Sequence, residues 1–169
     1  MQSALATATS GTQIWVAAGT YKPSVGLDVD GAGGTTAREV TFQIPSGVEV
    51  YGGFNGTETL LSQRDFFSNI TELSGDIGTI GVNTDNAYHV IVSYNVSKAT
   101  VVDGFAITKG YTASNYGGGW LNKTTIAGNV SSPQIRNCLF KNNYAKFGGG
   151  IYNYGETDPD IYNCLLINN

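Results

Sequence analysis

The chain has 169 residues, a formal net charge of −4 and a pI near 4.7, with 13% charged residues, so it lacks the clustered Lys and Arg that neutralise phosphates in a nucleic-acid groove. Its length suits one domain with a substantial interior. It contains no apolar run of about 18 residues and therefore no membrane-spanning helix, and it opens without a basic-then-apolar leader, so any export signal is expected to have been removed or never to have belonged to this stretch.

In chain order, Gln2 to Thr9 is rich in Ala and precedes a break at Ser10-Gly11, which predicts about two turns of helix covering an end. QIWVAAGTY (13–21) then reads as a strand bounded by Gly and Pro, and GLDVDGAGGTTA (26–37) as an exposed loop. VTFQI (40–44), VEVYGGF (48–54), AYHVIVS (87–93) and TVVDGFAIT (100–108) are further strands. The 23 Gly and 10 Tyr, with many Thr, Val and Ile, fit strands joined at Gly and Asn corners.

The last third repeats itself. SPQIRNCLFKNN (132–143) and DPDIYNCLLINN (158–169) match at Pro133/Pro159, Ile135/Ile161, Asn137/Asn163, Cys138/Cys164, Leu139/Leu165, Asn142/Asn168 and Asn143/Asn169, 26 residues apart. YGGGW (116–120) and FGGGI (147–151) form a second pair, and their glycines suit a sharp corner better than a phosphate cradle, since no Lys-Ser/Thr follows. A repeat of this period points to stacked units that bury their apolar sides only against each other. The expected architecture is all-β: one parallel β-helix domain over 1–169, with residues 1–10 as a capping helix and 100–169 as the most regular coils. Ile135 should lie beneath Ile161, and Phe140 beneath Leu166.

In such a stack, corner amides can hydrogen-bond in ladders, and Asn137 with Asn163 and Asn142 with Asn168 are the candidates. Ordinary turn asparagines fit the same corners. Asp103 is expected to occupy the place of Asn137 one coil earlier. Cys138 and Cys164 should stack as free thiols, because strand spacing of about 4.8 Å exceeds the Cβ separation a disulfide prefers. The extra residues between Gly110 and Tyr116, and those at 122–130, should bulge outward.

Candidate chemistry is sparse. Acid pairs Asp158/Asp160, Asp28/Asp30 and Asp76/Asp85 each have a plain turn or loop reading, against the convergent carboxylates that glycoside hydrolysis needs. No metal site is predicted; Asp28 and Asp30 in DVDGAGG are weak calcium candidates without a closing Glu. His89 lacks a Ser-His-Asp setting and reads as structural, and the three arginines, Arg38, Arg64 and Arg136, sit in no acid-rich segment. The five Asn-x-Ser/Thr sequons reflect composition. Tyr111, Tyr116, Trp120, Tyr144, Tyr152, Tyr154 and Tyr162 are the candidate carbohydrate-contacting rings, with Trp120 and Phe147 packing at the glycine corner and Tyr154 and Tyr162 facing outward.

The stretches IWVAAGTYKP, VEVYGGFNGTETLLSQRDF, TELSGDIG, DNAYHVI, VVDGFAITKG, YGGGW and SPQIRNCLFKNN resemble bacterial secreted or cell-surface proteins with right-handed parallel β-helix repeats, similar to pectate-lyase-like folds and polymorphic outer-membrane protein repeats. The resemblance implies export to the cell surface, a place near the N-terminus of a longer protein, no sequon glycosylation, and calcium as the one cofactor to consider. It also implies a non-catalytic scaffold or adhesin that contacts carbohydrate or stacks end to end through open coils, with a polysaccharide lyase or glycoside hydrolase as the alternative.

Overall fold

A computed structural model of the chain describes residues 1–29 and 36–169. Helix α1 spans Gln2–Thr7, shorter than the expected Gln2 to Thr9 because Ala8 already has extended backbone (φ −70°, ψ 139°). It buries Leu5 in the core, and Gln2 Nε2 donates to Thr41 O at 2.9 Å. The first strands are β1 (Gln13–Ala17), β2 (Gly19–Tyr21), β3 (Phe42–Gln43) and β4 (Glu49–Phe54). Next come β5 (Thr71–Ser74), β6 (Ile91–Tyr94), β7 (Val101–Asp103) and β8 (Phe105–Thr108). Then follow β9 (Tyr111–Tyr116), β10 (Trp120–Lys123), β11 (Gln134–Arg136) and β12 (Leu139–Lys141). The last are β13 (Tyr144–Phe147), β14 (Ile151–Tyr154), β15 (Asp160–Tyr162) and β16 (Leu165–Ile167). The segment 111–116, expected as an outward bulge, is strand β9.

These strands pair only in parallel. The first sheet has the order β1-β4-β7-β11-β15, the second β2-β5-β8-β12-β16, the third β3-β6-β10-β14, and a small fourth joins β9 to β13. The chain visits the first, second and third sheets in turn and repeats, inserting the fourth sheet in its later passes. Ile135 pairs with Ile161, and Phe140 with Leu166.

Register converts this order into a core. Ile14, Val50, Val102 and Ile135 stand in one column, and Leu73, Ile107 and Phe140 in another. A third column is Phe42, Ile91 and Trp120. All ten side chains are buried, each contributing about 1.5–3 kcal/mol relative to exposure. At the edge strands the columns meet solvent: Ile161 is 45% and Leu166 52% exposed.

Amide ladders run beside the apolar columns. Asn163 Nδ2 donates to Asn137 Oδ1 at 2.7 Å, and Asn137 Nδ2 donates to Asp103 Oδ1 at 2.7 Å. Asp103 nonetheless lies opposite Arg136, not Asn137; the position level with Asn137 belongs to Gly104, and both have positive φ (83° and 50°). The second ladder is displaced by one residue from the expected Asn142 and Asn168. Those two supply left-handed corners (φ 56° and 52°), as Lys109 does one pass earlier (φ 61°). The bonds run through their neighbours: Asn143 Nδ2 donates to Asn169 Oδ1 and to Ile107 O, both at 2.9 Å, while Asn143 Oδ1 accepts from Gly110 N at 3.0 Å. A third ladder joins Ser93 to Asn122 (2.9 Å) and Asn122 to Asn153 (3.0 Å). The glycine corners stack as well: Gly119 N donates to Gly149 O at 2.9 Å, and a Cβ on Gly119 would lie 2.4 Å from Gly150 O.

The buried ladder at Asn143 should therefore outweigh the corner at Asn142. Asn143→Ala strips the partners from Gly110 N–H and Ile107 C=O and is expected to cost about 2–4 kcal/mol by urea denaturation. Asn142→Ala only places an alanine in a left-handed corner and should cost about 1 kcal/mol. Equal losses would contradict the ladder's role.

Candidate functional site

The third and fourth sheets carry an aromatic shelf. Tyr116, at the end of β9, stacks on Phe147 of β13 with ring centroids 5.4 Å apart and on Tyr152 of β14 at 4.6 Å, with Tyr154 tilted against it at 6.3 Å. Parallel register produces this, because Tyr116 pairs with Phe147 and Trp120 with Ile151 across the same glycine corner. Phe147 and Tyr154 are 48% and 47% exposed. Lys123 Nζ lies 5.4 Å from the Tyr154 ring centroid, so a cation sits at the shelf's edge.

Beside the shelf, a cleft of about 200 Å³ is lined by Val29, Asn115, Tyr116, Leu121, Lys123 and Tyr154. Val29 and Asn115 also line a polar hollow of about 140 Å³, together with Glu39, Tyr88, His89, Thr112 and Ser114. The two hollows adjoin through Val29 and Asn115, one flanked by aromatic rings and the other polar.

The polar end exists because residues flanking 30–35 are pinned to the sheets. Leu27 N donates to Glu39 O at 3.0 Å, and Arg38 Nε and Nη2 each donate at 2.6 Å, to Asn86 O and Tyr111 O. The Arg38 guanidinium also lies 4.2 Å from the Tyr88 ring centroid. Glu39 is thereby held in a buried position, accepting from Thr36 N. His89 Nδ1 is 2.8 Å from Gly117 O. A carbonyl can only accept, so Nδ1 carries the proton and a neutral ring keeps Nε2 as an acceptor. Burial pulls the His89 pKa below its ordinary range, opposed by the Gly117 carbonyl and Glu39.

The expected rings divide among several places. Tyr116, Tyr152 and Tyr154 come together on the shelf, whereas Tyr111 and Tyr144 stack as a separate pair at 5.1 Å. Tyr162 is exposed on the first sheet, 6.0 Å from the Arg136 guanidinium. Trp120 cannot touch a ligand: it is fully buried, and its Nε1 donates to Ser93 Oγ at 2.9 Å. Phe147, expected to pack at the glycine corner, instead stacks on Tyr116 at the surface, while Trp120 across the same corner fills the interior.

Three of the candidate acids, Asp158, Asp76 and Asp85, are engaged with cations or backbone. Asp158 pairs with Lys98 at 3.0 Å and Asp76 with Lys109 at 3.0 Å, while Asp85 Oδ2 accepts from Thr79 N at 2.8 Å. The Lys109 hydrogen bond holds the buried Asp76 carboxyl below the usual carboxylate range. Asp160 lies on β15 opposite Gln134. Among the described residues no three His, Cys, Asp or Glu are grouped to hold a metal ion. Asp30 lies outside the described residues, and Asp28 at their margin. Cys138 and Cys164 are free thiols.

Glu39, His89, Asn115 and Lys123 were not among the binding candidates. The repeated aromatic-glycine signature was the one available signal, and it points to the shelf without naming what crosses it. No family model, curated protein or solved structure matches the chain.

The folded chain keeps His89 neutral, whereas the unfolded chain takes up its proton near pH 6.5. Stability should thus be complete above that pH and fall as the pH drops below it. The urea midpoint is expected to decline between about pH 7.5 and about pH 5.5, and His89→Gln should flatten that decline. An unchanged slope in the variant would contradict the assignment.

Proposed function

We propose that the chain is a right-handed single-stranded parallel β-helix serving as a non-catalytic module of a bacterial cell surface or secreted protein, and that it docks a carbohydrate chain in the groove beside Tyr116. The cyclic order of the sheets and their in-register parallel pairing support the β-helix reading, and right-handed crossovers are the general rule for parallel strands. The surface location follows the resemblance of the quoted stretches. One observation carries the binding reading: the solvent-facing stack of Tyr116, Phe147, Tyr152 and Tyr154 runs into a hollow lined by Glu39, His89, Thr112 and Asn115. Ring faces stack on the C–H face of a sugar, while amide, hydroxyl and carboxylate groups take its hydroxyls.

A second reading draws on the polar end alone. Glu39 is buried beside a neutral imidazole, an arrangement that suits proton transfer in a polysaccharide lyase or hydrolase. The same groove would then release shortened or unsaturated oligosaccharides.

Glycan-array binding followed by calorimetry on the hits tests the proposal. Tyr116→Ala and Tyr154→Ala should each weaken binding at least about tenfold, a loss on the scale of an aromatic contact. Tyr162→Ala, on the first sheet, should leave affinity unchanged. A folded chain that binds no glycan, or that loses as much through Tyr162 as through Tyr116, would sink the binding reading, and product release from a bound glycan would favour the enzyme.

A further inference from the structure

Asn55 and Gly56 form the only Asn-Gly step in the sequence, at the point where β4 gives way to an exposed turn. The turn dictates both residues. Gly56 has φ 96°, which a residue with a side chain reaches only under strain, and a Cβ there would meet nothing within 4 Å. Asn55 closes the turn with its side chain: Oδ1 accepts from Thr57 N at 2.9 Å and from Thr57 Oγ1 at 2.6 Å. Glu58 gathers the backbone donors of the same turn. Its Oε1 accepts from Asn55 N at 2.8 Å, and its Oε2 accepts from Gly56 N at 3.0 Å and from Thr57 N at 3.1 Å.

We propose that this turn is a self-modifying site, in which Asn55 converts through a succinimide to aspartate and isoaspartate, with Glu58 as the base and Thr57 as the donor to the developing oxyanion. Gly56 N gives its proton to Glu58 and attacks Asn55 Cγ; an N–C bond forms, and the tetrahedral centre carries its negative charge on Oδ1. The carbonyl then re-forms, the Cγ–Nδ2 bond breaks, and Nδ2 leaves as ammonia with the proton that Glu58 held. Water adds to either carbonyl of the ring and breaks that carbonyl's bond to Gly56 N, which takes a proton from the water. Opening at Cγ gives aspartate, and opening at the backbone carbonyl gives isoaspartate. Water is consumed and ammonia released in equal amounts, with no change of oxidation state.

Three features assign the roles. The Gly56 N–H lies in the peptide plane and meets a carboxylate, whereas the nitrogen attacks through the face of that plane, so the base leaves the approach open. Both donors on Asn55 Oδ1 bind more strongly as negative charge develops there, the arrangement that lowers barriers in acyl transfer. Asn55, Gly56 and Thr57 are exposed, so water reaches the ring. Every other internal asparagine precedes a residue with a Cβ, which screens the backbone nitrogen.

The site lies at the root of a strap. Beyond it, Leu61 packs against Tyr51, Phe54 and Val101, and Arg64 Nη2 lies 2.8 Å from Asp103 Oδ1, which ties the segment to the first sheet. An isoaspartyl link inserts a methylene into the backbone at that root and sets a carboxylate beside Glu58 in place of a neutral amide.

The test incubates the folded 169-residue chain at neutral pH and follows ammonia release, peptide mass maps and isoaspartate content. Aspartate and isoaspartate should accumulate at position 55 before any other asparagine converts, and faster in the folded chain than in the same chain unfolded in urea. Glu58→Gln should slow the conversion in the folded chain at least about tenfold, less than the about hundredfold of an enclosed general base because this turn stands in water. Thr57→Val, which keeps the backbone donor, should slow it as well, and in urea both variants should match the parent. A folded chain that converts no faster than the unfolded one, a Glu58→Gln rate equal to or above the parent's, or earlier conversion at another asparagine would overturn the proposal.

Discussion

The structure depends on one constraint: each pass of backbone must hydrogen-bond in parallel register onto the pass before it, about 4.8 Å away. Once that register holds, a side chain is selected for compatibility with the residue directly above and below. Apolar residues meet the condition by packing, as Val50, Val102 and Ile135 do. Amides meet it because they donate and accept at once and can hand a hydrogen bond along a column. A carboxylate only accepts, which is why Asp103 terminates the ladder it shares with Asn137. The Arg64 guanidinium, 2.8 Å away, supplies donors from the other direction.

The corners obey the same constraint through backbone angles. A change of sheet needs a left-handed residue at one level of every pass, and the column of Gly104, Asn137 and Asn163 provides it with glycine once and asparagine twice. Asparagine tolerates positive φ and leaves its amide free to bond along the stack, so one residue type serves both needs. At Lys109, Asn142 and Asn168 the two tasks separate. The corner residue supplies the angle, and the next residue, Asn143 or Asn169, turns inward to bond buried carbonyls. This division explains why a repeat containing two adjacent asparagines does not reveal which of them forms the ladder.

Legibility in the sequence followed the repeats. The Asn-Cys-Leu copies exposed the column of Ile135 and Ile161, the level placement of the cysteines and the parallel sense of the last passes, because identical residues 26 apart announce their own register. The earlier passes lack such copies: β5 and β9 were hidden in TELS and YTASNY, whose residues suit a loop as well as a strand. YGGGW was ambiguous for a related reason. Its five-residue signature places an aromatic on each side of the glycines, and only the inward column shows that the first ring faces solvent and the second fills the core. Glu39 and His89 are 50 residues apart in sequence, and nothing local marks them as neighbours.

Stacking has a consequence for chemistry. It sets like beside like, producing rows of rings and amides, whereas catalysis and selective binding need unlike groups to converge on one point. In this chain they converge where the segment that returns through Arg38 and Glu39 lies across the rows. Arg38 reaches two backbone carbonyls, Asn86 and Tyr111, that belong to successive passes, and so fixes the crossing segment against the stack. The crossing sets a carboxylate, an imidazole and an amide at one end of an aromatic row. A ligand lying across both hollows would need an apolar face for the row and a hydrophilic edge for the crossing, the combination on which the carbohydrate proposal rests.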